Sequence, residues 1–123
     1  MNAESDFRDL HSIVAADAVF HSPVGSKPYP GRDLVCLMLS TAAGIFENFK
    51  YHRILRDGEE AVLEFSAHIG DEQLKAVHII RFNTAGELAD IEKMVRPMKA
   101  AKTLGDAMGV KTGPQIKAMR AVG

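Results

Sequence analysis

The stretch Phe20-His21-Ser22-Pro23-Val24-Gly25-Ser26-Lys27-Pro28-Tyr29-Pro30-Gly31 ends a β-prone run, crosses a turn and opens directly onto a long apolar helix. Val19 to Val24 reads as a short strand. Pro28 and Pro30 lack an N–H and fix φ, so regular structure is forbidden until Gly31. From Arg32 to Phe46 the residues Leu34, Leu37, Met38, Thr41, Ala42, Ile45 and Phe46 recur at helical spacing, and Val35 and Leu39 widen the stripe. A helix this apolar needs a sheet to cover it.

The rest of the chain supplies that sheet. Upstream, Ser5 or Asp6 caps a short first helix that carries Phe7, Leu10 and Val14 on one side. Downstream, Phe49 to Leu55 is a strand closed by Arg56-Asp57-Gly58-Glu59. In Ala61 to Ile69, the residues Leu63, Phe65, Ala67 and Ile69 alternate with Glu64, Ser66 and His68. Gly70-Asp71-Glu72 turns the chain into a strand from Leu74 to Phe82. Asn83-Thr84-Ala85-Gly86 is a hairpin loop with glycine where a positive φ is needed. A last strand runs from Leu88 to Arg96 and stops at Pro97. A helix from Lys99 to Met108 ends at Gly109, and Thr112-Gly113-Pro114 in the tail 110–123 starts at most one more short helix. The expected class is α+β, a curved antiparallel sheet wrapped round the Arg32–Phe46 helix as a cone with an apolar interior.

A chain of 123 residues fits one domain, 1–123, with a core that needs no staples. A net charge of −1 without a basic cluster argues against nucleic acid or an anionic membrane as partner. The longest apolar run, Leu34 to Leu39, is far too short to span a bilayer. Cys36, the one cysteine, lies inside that run and reads as a small buried apolar residue, which excludes an internal disulfide and a cysteine-based zinc site. The N-terminus is acidic and lacks a signal-peptide core, so a cytoplasmic location is the default expectation. No cofactor motif and no metal-ligand spacing is present, and neither group is expected.

Two segments, Phe20–Gly31 and Ile80-Arg81-Phe82-Asn83-Thr84-Ala85-Gly86, together resemble the nuclear transport factor 2-like superfamily, closest to its ketosteroid isomerase and polyketide cyclase-like branch. The resemblance covers roughly Asp6 to Met98. It implies the cone fold, a pocket inside the cone and proton-transfer chemistry on a carbonyl compound. It also implies a catalytic aspartate immediately before Pro-Val-Gly and a neutral carboxylic acid on the strand before Arg-Phe-Asn. In this chain Ser22 and His78 stand at those positions. A hydroxyl is a poor base unless another group takes its proton, whereas a neutral imidazole still donates a hydrogen bond to a substrate oxygen. The catalytic tyrosine of the isomerases would fall on a helix preceding Met1.

Strand alternation selects the remaining candidates. His78 shares parity with Leu74, Ala76 and Ile80, so it faces the core, where one hydrogen bond satisfies it equally well as a structural residue. Lys93 shares the inward parity of Ala89, Ile91 and Val95. A lysine there is costly unless paired or deprotonated, and the alternative is a stem that snorkels to the cone mouth. Glu64, His21 and His68 fall on the outward face. The expected catalytic set is His78, Lys93 and Ser22, with Phe20, Tyr29, Phe46, Phe65, Ile91 and Val95 lining the pocket. The expected partners are a small, largely apolar carbonyl-containing molecule and a second copy of the chain, docked through Val77, Ile79 and Met94 on the outer sheet face, with the tail from Val110 either joining that interface or lying over the pocket mouth. The competing function is a non-catalytic small-molecule-binding or dimerisation module.

Overall fold

Alternation and turn chemistry build a six-stranded sheet in the computed structural model, which describes residues 10–122. The expected first-helix cap at Ser5 or Asp6, and Phe7, lie outside the described residues. Residues 10–13 are helical and lead straight into β1 (Val14–His21). The strand therefore starts earlier than Val19 and ends before Ser22, because Pro23 gives no N–H to a ladder. β2 is the dipeptide Tyr29–Pro30, and α1 spans Arg32–Ile45. The Gly31 N–H donates to the Ala18 carbonyl at 2.7 Å, and Arg32 Nε donates to the Val14 carbonyl at 2.8 Å. These two bonds fix the angle at which α1 leaves the turn.

Then come β3 (Glu47–Asp57), β4 (Glu60–Ile69), β5 (Glu72–Phe82) and β6 (Leu88–Arg96), in the spatial order β2-β1-β6-β5-β4-β3. Asn83 organises the β5–β6 hairpin by accepting the Ala85 and Glu87 N–H groups at 3.0 and 2.9 Å, while Gly86 takes φ +80°. The sheet is antiparallel except at one seam. β1 runs parallel to β6, with an irregularity between Val14 and Val19, so the expectation of a wholly antiparallel sheet is corrected there. The sheet is curved and does not close.

The C-terminal half of the chain departs most from expectation. Met98–Val122 is one continuous helix, α2, and neither Gly109 nor Thr112-Gly113-Pro114 interrupts it. Leu104, Met108, Thr112 and Ile116 recur every fourth residue, and the first three are buried. Packing of that stripe outweighs the local weakness of glycine and proline. Pro114 removes a hydrogen bond to the Val110 carbonyl, but Val110 is 80% exposed, where a carbonyl without an intrahelical partner costs little. α2 packs against α1 and across β4, β5 and β6, while α1 rests chiefly on β1 and α2. The concave face is thus shared by two helices rather than filled by α1 alone. Its core joins Val35, Cys36 and Met38 of α1 to Phe20, Ile91 and Leu104. No helix among the described residues is long and apolar enough to cross a membrane.

Candidate functional site

A cavity of about 420 Å³ lies between the β1–β2 turn, α1 and α2. Phe20, Ser22 and Tyr29 form one wall, with the Phe20 and Tyr29 rings 6.2 Å apart. Met38 comes from α1, and Leu104, Met108, Thr112 and Ile116 come from α2. α2 approaches the turn closely at Gly105, where a Cβ would stand 2.9 Å from a Val24 methyl carbon. The floor is Lys93.

Lys93 is the unusual residue. Its residue is 3% exposed, and no ion pair or hydrogen bond holds its ammonium among the described residues. Nζ instead lies 5.1 Å from the Phe46 ring centroid and 5.7 Å from that of Phe20. Ring faces attract a cation, which offsets part of its lost hydration. Desolvation nevertheless prevails and pulls the amine from 10.5 to about 8. The stem does not snorkel to open water. The contrast with Glu64 on the outer face is sharp. Arg53 donates to both Glu64 oxygens at 2.8 Å, and Lys75 lies 3.4 Å away. These cations hold the Glu64 carboxyl down at about 2, the Arg53 hydrogen bond being the largest cause. Glu64 is outward as its parity requires, yet its side chain is only 11% exposed, because Arg53 and Lys75 fold over it.

His78 also faces inward, directly opposite Lys93 across the β5–β6 ladder. Its ring centre is 5.0 Å from that of Phe65. Nε2 is shut off from solvent and has no hydrogen-bond partner among the described residues. Burial first, and the Lys93 charge second, lower its pKa from 6.5 to about 3, so the imidazole is neutral. It lies one strand away from the cavity and does not line it.

Of the nine residues expected at the site, Phe20, Ser22, Tyr29 and Lys93 therefore border the cavity. Phe46 stands behind Lys93 and joins Phe65, whose ring centre is 5.6 Å away, in an aromatic cluster completed by Phe49 and Tyr51. Ile91 and Val95 belong to the core beneath. Leu104 and Met108 were not among the expected lining residues, although their four-residue spacing is present in the sequence, whereas Thr112 and Ile116 belong to the tail expected either at the interface or over the pocket mouth. His21 pairs outward with Asp90 at 2.9 Å, and His68 bonds Asn48 and the Gly70 carbonyl. Among the described residues no three His, Cys, Asp or Glu side chains converge on a metal-sized site.

The curved sheet, the shared concave face and this cavity define a nuclear transport factor 2-like fold of the ketosteroid isomerase type. The model of the SnoaL-like domain matches residues 2–91, and the chain belongs to that family. A solved steroid Δ-isomerase from Pseudomonas aeruginosa is 42% identical, with a TM-score of 0.85 over 94% of this chain and 85% of that one. An uncharacterised bacterial protein with a cystatin-like fold from Silicibacter pomeroyi is 30% identical, with a TM-score of 0.89 over 96% of this chain and 84% of that one. A ketosteroid isomerase-like protein from Catenulispora acidiphila, solved with trimethylamine, shares the fold at 15% identity and a TM-score of 0.60, covering 79% of each chain. No curated protein matches the chain.

Proposed function

We propose that the chain binds a small, largely apolar, carbonyl-containing molecule in the cavity between β1, β2 and α2, with the carbonyl oxygen received by Lys93. The observation that carries this reading is Lys93 itself, which lines a largely apolar cavity and whose amine has no anionic partner among the described residues. An unpaired buried charge is costly, and a ligand oxygen is the group that would satisfy it. Ser22 supports the reading from the rim. Its Oγ accepts the Val24 N–H at 3.2 Å, which leaves its own O–H free to donate to a ligand. The steroid Δ-isomerase of Pseudomonas aeruginosa supports an apolar carbonyl compound as the substrate class.

No aspartate or glutamate borders the cavity among the described residues. That favours a binding module over proton transfer by a carboxylate, and His78, neutral and one strand away, then serves as a packing group against Phe65. We also assign a homodimer contact to the outer sheet face, where Ile79 and Met94 are 38% and 49% exposed side by side with Val77. The test of the binding reading compares 2-acetonaphthone with naphthalene by chemical-shift titration. Wild type should prefer the ketone by about tenfold or more, from one charge-assisted hydrogen bond. Lys93→Met should bind both equally. Equal affinities in wild type would overturn the assignment.

A further inference from the structure

Lys93 is arranged as a nucleophile as well as a hydrogen-bond donor. A lysine that only recognises oxygen is ordinarily kept charged by a nearby carboxylate, and this chain does so elsewhere, at Lys99 with Glu72 and at Lys102 with Asp106. Among the described residues, no carboxylate pairs with Lys93. Around it lie the Phe20 and Phe46 faces and the neutral His78 across the ladder, and the cavity it lines is walled by Met38, Leu104 and Met108, with Thr112 and a second cation, Lys117, also on the lining. Such surroundings disfavour the ammonium and free the lone pair needed to attack carbon. Lys93 is among the residues that line the cavity, and Ser22, on the same lining, carries a hydroxyl that can donate to the carbonyl oxygen as charge develops there.

We infer that Lys93 condenses with the carbonyl group of an apolar aldehyde or ketone in this cavity to form an imine, which rests on the binding reading above. The Nζ lone pair forms a bond to the carbonyl carbon while the C=O π pair moves to oxygen. Two nitrogen protons then pass to that oxygen, water leaves, and the N=C double bond forms. One amine and one carbonyl give one imine and one water, and no oxidant or reductant is consumed. The imine makes the adjacent carbon acidic, so the reaction classes it opens are α-proton exchange, double-bond migration and carbon–carbon cleavage.

The experiment treats the full chain with 2-naphthaldehyde and sodium cyanoborohydride at neutral pH and maps reductive alkylation by peptide mass spectrometry. Exposed lysines such as Lys50, Lys75 and Lys99 are internal controls, because a buried lysine with a purely structural role would react last. A neutral fraction about a hundredfold above that of an ordinary lysine places Lys93 first. The adduct should saturate at one per chain, map to Lys93 and be lost in both Lys93→Arg and Lys93→Met. Lys93 alkylated no faster than the exposed lysines overturns the imine. Parallel titration with 2-naphthalenemethanol, which cannot form an imine, separates the two readings. Binding of the alcohol without trapping at Lys93 defeats the imine and leaves the binding reading intact, whereas absence of both defeats both.

Discussion

Replacing Lys93 by methionine should stabilise the protein at neutral pH. Its ammonium is buried between two aromatic rings, and desolvation brings its pKa from 10.5 to about 8. In the unfolded chain the same group titrates near its ordinary value. Between about pH 8 and 10.5 the unfolded chain therefore holds a proton that the folded chain has released, and stability rises with pH. Below pH 8 both states are charged and the folded state bears the full penalty. At about 1.4 kcal/mol per pH unit, that interval amounts to roughly 3 kcal/mol. Methionine has a similar length, carries no charge and retains contact with the rings. Urea unfolding of wild type and variant at neutral pH should favour Lys93→Met by roughly 3 kcal/mol, with most of the difference gone near pH 10.5. Subtracting the two proteins removes the titration of every other lysine and tyrosine. A variant less stable than wild type at neutral pH, or a difference that does not shrink on the alkaline side, would refute the burial argument.

His78→Leu should flatten the acid limb. Burial and the Lys93 charge hold His78 at about 3 against 6.5, so as pH falls through that interval the unfolded chain gains a proton first. Wild type then loses up to about 1.4 kcal/mol per pH unit and the variant does not, as urea titrations across the same range would read. Isomerisation of a 3-oxo-Δ5-steroid, followed by ultraviolet absorbance, should run at least about a hundredfold slower than in carboxylate-based isomerases, because Ser22 replaces the base. Fast turnover abolished by Ser22→Ala would contradict this. Light scattering should give a dimer mass, and Met94→Glu on the outer face should yield monomer without loss of fold. A wild-type monomer at tens of micromolar would count against that interface.

Most of the sheet was legible because period-two alternation is a strong local signal. Leu88–Arg96 matches residue for residue, and the inward parity of His78 and Lys93 follows from it. The start of β1 was not legible, since Val14 to Ala18 has mixed exposure and contains the irregularity against β6. α2 was misread at Gly109 and Pro114 because helix punctuation is a local cue, whereas the Leu104–Ile116 stripe acts only once α1 and the sheet are there to receive it. That misreading displaced the site. With α2 across β4 to β6, the open space lies towards β1, Phe65 becomes core with Val95 packed against it, and His78 is half-buried one strand from the cavity. Glu64 was predicted outward, and the sequence gives no sign that Arg53 and Lys75 would shelter it.

The wall of the cavity is made by the weakest stretch of helix in the chain. Gly109, Gly113 and Pro114 each lower the cost of local unwinding, and they lie on either side of Thr112 and just before Ile116, which face the cavity. On the proposed binding reading, the apparent affinity of a molecule entering there would be scaled by the fraction of time this stretch of helix is formed. Substitutions on the far side of α2, touching no ligand atom, would then tune retention of the bound molecule as effectively as changes in the cavity lining.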